Sequence, residues 1–301
     1  MYLPTNNITF DAVHADYLTE KEINLSVMRL DKIHETVSGN KLFKLQFYIE
    51  KCLETEHKTI VTFGGAYSNH LVATAFLCKQ NGIKSIGIVR GNALQNKTHT
   101  LIACEANGMQ LDYVDATTYK IISTINNNKY VTAKFGNCTL IPEGGFGYDG
   151  AKGAATIMEL LCKENPTHVC TCVGTATTLA GLLLHKNTVE KIVAVPAIKN
   201  MVDVEKRIAK IGVTFNKEKL EILPDYHFGG YAKHTPDLIA FMNTFYTETN
   251  IPTDFVYTAK LLYGIIDSIK NNHFKKGSNI ICLHTGGLQG NLSLPQGTLI
   301  Y

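Results

Sequence analysis

Short apolar runs that end in glycine and lead into helical stretches recur along the chain, and this alternation restricts the fold more than any other feature. TIVTFGG at 59–65 precedes the helical stretch 69–82, and KSIGIVRG at 84–91 precedes the stretch 97–108, which is followed by MQLDYVD at 109–115. Strand–helix units in series build parallel sheets with helices on both faces. The sequence therefore predicts an α/β fold.

The alternation continues through the second half of the chain, where it is long enough to form a second sheet. Further strands are predicted at 138–145, 168–174, 191–197 and 278–287, and further helices at 150–164 and 177–187. In folds of this kind, ligands bind beyond the carboxyl ends of the strands. Because glycine-rich segments follow several of these strands, we expect one cleft lined by several strand ends.

Composition and charge exclude several other classes of protein. Apolar residues make up 45% of the 301 residues and charged residues 18%, which allows a large core and excludes global disorder. A net charge of +3 without a basic block gives no basis for nucleic-acid binding. No apolar run approaches the roughly 20 residues of a membrane span, and the first residues are not typical of a signal peptide. We therefore expect a cytoplasmic protein without membrane association.

Eight cysteines are scattered along the chain, and none forms a CxxC pair. In a chain of this length, the pattern indicates free, buried thiols in a reducing compartment. Cys170 and Cys172 alternate along a predicted strand, but no second ligand pair has the spacing of a zinc site. The sequence therefore predicts no metal site.

One glycine motif is similar to a dinucleotide-binding fingerprint but lacks the rest of it. Gly145, Gly147 and Gly150 match GxGxxG between a predicted strand and a predicted helix. The fingerprint also requires an acidic residue at the end of the next strand to hold the ribose, and HVCTCVG at 168–174 has none. Tight turns therefore explain these glycines better than a nicotinamide cofactor does.

Two segments place a lysine or small polar residues at the start of a helix. In SGNK, Lys41 precedes a helical run, where a lysine is either a solvated charge or an amine that forms a Schiff base. In FGGAYSNH, Ser68 and Asn69 lie at a strand-to-helix turn, where they either cap the helix or bind a carboxylate. The residues alone leave both alternatives open.

A third segment, GTATT at 174–178, leads from a predicted strand into a helix. Small residues allow backbone N–H groups to approach an anion, and threonine hydroxyls add donors. Because GK[ST] is missing, a phosphate monoester fits better than a nucleoside triphosphate, although a simple helix cap fits equally well. Tyr231 and Tyr257 lie near glycines or turns, where a single tyrosine is more typical of packing.

Six segments follow one another in the order found in a known enzyme family: SGNK, GGAYSNH, the Gly/Thr loop, GGY, VYTAK and HTGG. Together they resemble the 1-aminocyclopropane-1-carboxylate deaminase/D-cysteine desulfhydrase family. Its members are pyridoxal-phosphate enzymes of fold type II, the tryptophan-synthase-β-like group. The resemblance runs from residue 29 to residue 287, which is nearly the whole chain.

This resemblance implies two α/β domains with parallel-rich sheets covered by helices. The larger, cofactor-binding domain is expected to comprise residues 1–45 and 153–301, and the smaller domain residues 46–152. The active site is expected in the cleft between them. The implied cofactor is pyridoxal 5′-phosphate, the implied substrate a small amino acid, and the implied assembly a homodimer.

The resemblance also implies which residues contact the cofactor. Lys41 matches the lysine that holds the cofactor aldehyde as a Schiff base, and Asn69 matches the asparagine that donates to its phenolic oxygen. Thr285 matches the threonine near the pyridine nitrogen. The loop that binds the phosphate, called the phosphate loop below, is matched by Gly174, Thr175, Ala176, Thr177 and Thr178.

Further roles concern the substrate and the reaction. The catalytic residues implied by the resemblance are Lys41, Ser68, Tyr231 and Tyr257. The implied substrate contacts are Ser68, Asn69, His70 and Thr258. Within these sets, the Ser68–His70 turn receives the substrate carboxylate, and one of the two tyrosines is a candidate acid/base.

The chain departs from the family pattern at several positions around the substrate and the phosphate. Tyr67 stands where the family often has glutamine, and Phe43 replaces an arginine. Leu179 replaces a histidine, and Thr177 replaces a glycine of the phosphate loop. These departures affect the expected substrate specificity more than the expected cofactor.

The residue after Tyr257 favours one reaction over another. The cyclopropane deaminases have glutamate at this position, whereas this chain has Thr258, whose neutral hydroxyl cannot stabilise a protonated pyridine ring as a carboxylate would. The expected reaction is therefore an α,β-elimination of the D-cysteine desulfhydrase type, which yields pyruvate, ammonia and sulfide. The alternatives are 1-aminocyclopropane-1-carboxylate deamination and, from another class, a catalytically impaired relative that only binds the cofactor.

Overall fold

The computed structural model describes residues 5–92, 97–124, 128–186 and 188–301. In chain order, these residues form the strands β1 (Phe10–Val13), β2 (Asn24–Met28), β3 (Thr59–Gly65), β4 (Lys84–Arg90), β5 (Gln110–Val114), β6 (Thr139–Ile141), β7 (His168–Val173), β8 (Lys191–Pro196), β9 (Leu220–Ile222) and β10 (Asn279–Leu283).

The strands form two sheets. The six-stranded sheet has the order β1-β2-β10-β7-β8-β9, in which β1 and β2 are antiparallel and the other neighbours are parallel. The four-stranded sheet has the order β5-β4-β3-β6, and all its neighbours are parallel. The predicted α/β fold with parallel-rich sheets is confirmed.

Helices connect and cover these strands. The α-helices are α1 (Asp16–Glu20), α2 (Lys41–Leu53), α3 (Asn69–Gln80), α4 (His99–Ala106), α5 (Ala116–Ile122), α6 (Asn128–Phe135), α7 (Tyr148–Ala155), α8 (Ile157–Leu161), α9 (Thr177–Leu184), α10 (Val204–Ile211), α11 (Pro236–Thr249) and α12 (Thr258–Lys270). Short 3-10 helices lie at Thr5–Asn7, Leu30–Lys32, Glu143–Gly145, Cys162–Glu164, Lys217–Lys219 and Leu288–Ser293. Among the described residues, no helix has the length and apolar character needed to cross a membrane.

Local residue chemistry sets several of the helix ends. Ser68 Oγ accepts the N–H of Leu71 at 3.3 Å at the start of α3, and Thr235 Oγ1 accepts the N–H of Leu238 at 3.3 Å at the start of α11. Such side chains satisfy N–H groups that have no acceptor within the helix. Gly212 ends α10 with a φ of +88°, a conformation that glycine adopts without strain.

One predicted strand is shorter than expected because proline and glycine end it. The prediction covers 138–145, whereas the strand spans only Thr139–Ile141. Pro142 lacks an N–H for the ladder, and Gly144 and Gly145 have φ values of +66° and +70°. The chain therefore turns into a 3-10 helix where a longer strand was predicted.

Three other predicted elements differ at their ends. The strand predicted at 278–287 is β10, after which residues 284–287 form a loop. The helix predicted at 150–164 is divided at Thr156 into α7 and α8. The helix predicted at 177–187 corresponds to α9, which ends at Leu184, and Asn187 lies outside the described residues.

Glycines allow α7 to pack closely against both α2 and α9. A Cβ atom at Gly153 would lie 1.9 Å from the carbonyl oxygen of Phe43 in α2. A Cβ atom at Gly181 in α9 would lie 2.4 Å from the carbonyl oxygen of Ala151 in α7. Any larger residue at either position would separate the helices, so these contacts hold the first residues of α2 and α9 close together.

The glycines of the GxGxxG segment allow tight turns and close contacts of the backbone. Gly145 and Gly147 have φ values of +70° and +143°, and a Cβ atom at Gly150 would lie 2.0 Å from the carbonyl oxygen of Gly145. These are tight-turn glycines, as the sequence predicted. The turn leads from β6 into α7 and contributes Gly144 to the pocket described below.

Candidate active site

The start of α2 is fixed against the loop that follows β10. A Cβ atom at Gly39, which has a φ of +75°, would lie 1.8 Å from the carbonyl oxygen of Thr285, so only glycine fits here. The N–H of Asn40 donates to the same carbonyl oxygen at 3.3 Å. Lys41 therefore begins the helix at the carboxyl end of the six-stranded sheet, where ligands bind in folds of this class.

Lys41 is half-buried, and its ammonium belongs to a short hydrogen-bond chain. Lys41 Nζ donates to Asn40 Oδ1 at 2.6 Å, and Asn40 Nδ2 donates to Thr178 Oγ1 at 2.7 Å. Burial lowers the pKa of Lys41 to about 8, although the carboxylate of Asp254 raises it. A lysine with this pKa has a far larger fraction of neutral amine at pH 7 than a solvated lysine has.

The phosphate loop connects β7 to α9 through a sharp turn. Ala176 has a φ of +68° immediately before the helix, and the first N–H groups of an α-helix have no acceptor within the helix. Thr178 Oγ1 accepts a hydrogen bond from Asn40, which leaves its own proton free for a ligand. Such N–H and hydroxyl groups at the start of a helix are suited to a phosphate.

One pocket brings Lys41, the phosphate loop, Tyr257 and Thr285 together. Its lining residues are Asn40, Lys41, Lys44, Gly144, Cys172, Val173, Gly174, Thr175, Ala176, Thr177, Thr178, Leu179, Tyr257 and Thr285. None of these described residues is Asp or Glu, and two are lysines. The pocket is therefore suited to an anionic ligand.

Lys44 lies one helical turn after Lys41 and is only 4% exposed. Burial, together with the charge of Lys41, lowers the pKa of Lys44 well below its ordinary value. A buried ammonium is costly without a counter-charge, and a phosphate at the start of α9 would supply one. The sequence interpretation did not select Lys44, although the spacing of three residues from Lys41 places both on one helix face.

Tyr257 lies beside the phosphate loop, and Tyr231, which does not line the pocket, lies next to Tyr257. A Cβ atom at Gly174 would lie 3.2 Å from Tyr257 Cε1 and 3.3 Å from the Tyr257 hydroxyl oxygen. The rings of Tyr231 and Tyr257 are 6.0 Å apart, and 54% of Tyr231 is exposed. Burial, together with Tyr231, raises the pKa of Tyr257 well above its ordinary value. Tyr257 is therefore a protonated phenol at neutral pH, next to the pocket.

Ser68 and Asn69 lie at the carboxyl end of β3, and neither is among the residues that line the pocket. Ser68 caps α3, as described above. Asn69 Oδ1 is buried without a hydrogen-bond partner. Asn69 Nδ2 is 3.1 Å from the place where a Cβ atom of Gly287 would lie, in the loop after Thr285. The amide nitrogen of Asn69 therefore lies close to the loop that follows β10, and its amide oxygen has no partner.

His70 points into the protein, although the sequence predicted a substrate contact. The residue is 3% exposed, and its Nε2 lies 2.8 Å from Thr62 Oγ1, which donates to the carbonyl oxygen of Ile141 at 2.8 Å. Since the threonine proton is used for Ile141, Nε2 must donate to Thr62. Burial, followed by the charges of Lys44 and Lys41, lowers the pKa of His70. The ring is neutral and does not line the pocket.

Thr258 also lies outside the pocket lining, because its hydroxyl binds Asp254. Thr258 Oγ1 donates to Asp254 Oδ1 at 2.7 Å and accepts the N–H of Asp254 at 2.7 Å. The other carboxylate oxygen accepts the N–H groups of Val256 and Tyr257 at 2.9 and 2.8 Å. Thr258 and Asp254 thus fix the first turn of α12, and the geometry gives no substrate contact to Thr258.

These residues fit pyridoxal phosphate. The cofactor requires an amine for its aldehyde and an anion site for its phosphate, and Lys41 and the phosphate loop with Lys44 provide these two groups. The side-chain-free Gly174 leaves room next to Tyr257. The buried amide oxygen of Asn69 has no partner, so it can accept a hydrogen bond from a ligand. Asn40, Lys44 and Asp254 complete this arrangement, and the motif comparison had assigned none of them.

The chain belongs to the pyridoxal-phosphate-dependent enzyme family, whose sequence pattern matches residues 13–286. It is thus a fold type II pyridoxal-phosphate enzyme, and its predicted membership in the deaminase/desulfhydrase group within that class is confirmed by its relatives.

Two relatives match most of the chain. A Thermotoga maritima protein named as a proposed 1-aminocyclopropane-1-carboxylate deaminase is 30% identical over an alignment of 294 residues, which covers 91% of this chain and 92% of that protein. A Pyrococcus abyssi protein of the same name is 27% identical over an alignment of 293 residues, which covers 90% of this chain and 86% of that protein. A crystal structure titled as an ACC deaminase homologue has a TM-score of 0.80 at 21% identity and covers 97% of this chain and 92% of its own.

Proposed function

We propose that the protein catalyses the pyridoxal-phosphate-dependent α,β-elimination of a small amino acid with a β-thiol, of the D-cysteine desulfhydrase type. One water molecule is consumed, and the products are sulfide, ammonia and pyruvate. The observation that carries this proposal is the absence of a carboxylate among the described residues that line the pocket.

A pocket whose described lining residues include no carboxylate favours a reaction in which a good leaving group departs from the substrate. The bound cofactor supplies an electron-withdrawing pyridine ring, and the pocket offers Thr285 rather than an acid to accompany it. Asp254 is the buried carboxylate nearby, but both of its oxygens already accept hydrogen bonds from the first turn of α12. Thiolate departure needs less electron withdrawal than the opening of a carbon ring does.

The chain's own groups can move the required protons. The lowered pKa of Lys41 suits this amine to accept the proton from the substrate Cα near neutral pH. Tyr257, which burial holds protonated, can donate a hydrogen bond to the departing sulfur. On the four-stranded side, we expect the hydroxyl of Ser68 and the amide nitrogen of Asn69 to donate to the substrate carboxylate at the start of α3.

The second candidate is 1-aminocyclopropane-1-carboxylate deamination. The names of the Thermotoga maritima and Pyrococcus abyssi relatives favour it. In that reaction the leaving group is a carbon atom of a three-membered ring, which requires a deeper electron sink than a thiolate does. The neutral lining of the pocket supports the elimination more strongly.

Parallel assays with saturating D-cysteine, L-cysteine and 1-aminocyclopropane-1-carboxylate separate these candidates. The proposal expects sulfide and pyruvate in equal amounts from D-cysteine and little α-ketobutyrate from the cyclopropane. The matched control is Lys41→Ala, which should abolish every product. Efficient α-ketobutyrate release with little sulfide would overturn the proposal, and a holoenzyme inactive on all three substrates would indicate a relative that only binds the cofactor.

We further propose a cytoplasmic homodimer with domains 1–45 plus 153–301 and 46–152. The membership of the sheets supports this division, because β3 to β6 lie within 46–152 and the remaining strands lie outside it. Light scattering of the purified holoenzyme tests the assembly, since a dimer has twice the chain mass of 33.2 kDa. Limited proteolysis tests the division, which predicts early cuts near the two boundaries.

A further inference from the structure

A second buried lysine, Lys260, lies one turn into α12 and takes no part in the roles proposed so far. Its side chain is completely buried, and Lys260 Nζ donates to the carbonyl oxygen of Gly230 at 2.7 Å. Burial lowers the pKa of Lys260, although Cys172 and Asp254 raise it. A single backbone carbonyl is little compensation for a buried ammonium, so an apolar side chain of similar volume would stabilise the fold at least as well.

The loop that Lys260 contacts has an unusual backbone. Phe228, Gly229, Gly230 and Ala232 have φ values of +47°, +90°, +113° and +52°. A segment with so many residues in the left-handed region is held by specific contacts rather than by a regular ladder. Within the loop, Gly230 accepts the N–H of Lys233 at 3.1 Å. Lys260 adds a donor from α12 and thereby ties the loop to the rest of the protein.

This loop carries Tyr231, and α12 follows Tyr257 directly. Tyr231 comes immediately after the residue that Lys260 binds, and Tyr257 lies three residues before Lys260. The same helical turn therefore fixes both tyrosines, whose rings are 6.0 Å apart at an angle of 66°. Since 54% of Tyr231 is exposed, packing alone does not determine where its hydroxyl lies.

We propose that Lys260 is a positioning residue that sets the place of Tyr231 relative to Tyr257 through the carbonyl oxygen of Gly230. It does not touch the substrate, and it acts on the reaction only through the loop 228–232. The catalytic consequence rests on the proposed function, whereas the structural consequence for the loop does not.

The test compares holoenzyme carrying Lys260→Met with wild type and with Lys199→Met. Lys199 is exposed, and its Cβ lies 3.3 Å from the place of a Gly230 Cβ atom, so its variant removes a cation next to the same loop without removing the donor. Hydrogen–deuterium exchange should become at least about ten-fold faster in residues 228–234 of Lys260→Met alone. The melting temperature should not fall, because methionine fills the same volume.

Kinetics then separate positioning from a merely structural role. A misplacement of about 1 Å costs on the order of 100-fold in kcat, so we expect Lys260→Met to lower kcat by about 10- to 100-fold, with the affinity for the cofactor unchanged. In a Tyr231→Phe background, the same change should lower kcat by less than about three-fold, because residues that act through one another are not additive. Lys260→Gln, which keeps a shorter donor, should recover part of the loss.

Two results would overturn the proposal: unchanged exchange in 228–234, or an equal loss of kcat with and without Tyr231. Faster exchange with unchanged kcat would support the anchoring of the loop by Lys260 and would instead contradict the catalytic role that the family resemblance implies for Tyr231. The failure of the inference and the failure of the proposed function therefore give different results.

Discussion

The two sides of the pocket differ in how their polar groups are connected. On the six-stranded side, Lys41, Asn40 and Thr178 form one continuous hydrogen-bond chain. On the four-stranded side, the hydroxyl of Ser68 is used only as a helix cap, and the amide oxygen of Asn69 has no partner. The polar groups of the six-stranded side thus hydrogen-bond to one another, whereas the four-stranded side has a polar group without a partner.

From this difference we infer that the six-stranded side binds the cofactor, which stays bound, and that the four-stranded side binds the substrate, which does not. A preorganised set of donors loses little entropy when it binds its ligand and suits a cofactor that stays bound. Groups with spare capacity suit a substrate that enters and leaves in every turnover. We therefore expect substitutions on the six-stranded side to change cofactor retention, and substitutions on the four-stranded side to change KM.

The largest effect is expected for Lys41→Ala, which removes the amine from the six-stranded side. Sulfide release should fall by about 10³-fold or more, since a nucleophile and a base are lost together. Borohydride treatment of wild type should fix the cofactor on Lys41, and peptide mapping of the variant should find no label. Lys51→Ala is the control, because Lys51 lies on the same helix but is exposed and paired with Asp149 at 2.6 Å. A label on another lysine would contradict the assignment.

Thr178→Val should weaken cofactor binding by about 10- to 100-fold, since a hydrogen bond to a charged group contributes about 1.5–3 kcal/mol. The measurement is the dissociation constant of pyridoxal phosphate from titration of the apoprotein by absorbance. The KM of the reconstituted variant should remain within about two-fold of wild type. If Thr178→Val binds the cofactor as tightly as wild type, the hydroxyl serves only Asn40, and the six-stranded side does not act as proposed.

Ser68→Ala tests the four-stranded side and should raise KM by about ten-fold, while the affinity for the cofactor stays the same. Loss of the N-cap should also lower the free energy of unfolding by about 1 kcal/mol. Thr235→Ala is the matched control, because Thr235 caps another helix, α11, at the same 3.3 Å distance, and no substrate contact is proposed for it. An equal rise of KM in both variants would show that stability rather than substrate contact is responsible.

The pH dependence of cofactor uptake should sharpen the contrast further. The pKa of Lys41 is lowered to about 8 by burial, so the neutral amine increases as pH rises toward 8 and saturates above it. The rate of reconstitution of the apoprotein should follow this curve, whereas an ordinary lysine would give a rate that still rises near pH 10. Asp254 raises this pKa, so Asp254→Asn should move the midpoint to lower pH. A midpoint at or above 10 would contradict the buried environment.

The smallest effect on activity is expected for Thr258→Val. Its hydroxyl binds Asp254 rather than a ligand, so the ratio of sulfide from D-cysteine to α-ketobutyrate from the cyclopropane should change by less than about two-fold. Stability should fall by about 1–3 kcal/mol, because a buried carboxylate loses a donor. Denaturant unfolding and the paired product assays provide both values. A marked change in the product ratio would contradict this expectation and would indicate that Thr258 contacts the substrate.

The alternation of glycine-terminated strands and helices was sufficient to predict the fold class and the positions of β3, β4, β7 and β8. It did not predict β1, β2 or β9, which have four, five and three residues; β1 and β9 form the two edges of the six-stranded sheet. Strands this short have too few alternating positions to show a period. The short length of β6 could have been predicted, because the sequence places Pro142 directly after it.

The site shows a similar limit. Motif order selected Lys41, the phosphate loop, Tyr257 and Thr285, and the structure brings these residues together in one pocket, because strand ends converge in parallel sheets. It did not reveal that the side chains of His70 and Thr258 point inward toward Thr62 and Asp254. The direction of a side chain at the start of a helix depends on which polar groups of the neighbouring segments lie within hydrogen-bond distance. Nor did it reveal the burial of Lys44 and Lys260, whose surroundings come from distant segments.

The central position of β10 has a consequence for the order in which the chain is made. β10 lies between β2 and β7, so one edge of each of these two strands stays unpaired until β10 has been synthesised. β7 ends at Val173, and β10 begins 106 residues later, at Asn279, which is roughly 5–21 s at usual rates of translation. During this interval both edges can pair with other chains. A nascent chain released before β10 would therefore be a strong target for chaperones and for aggregation.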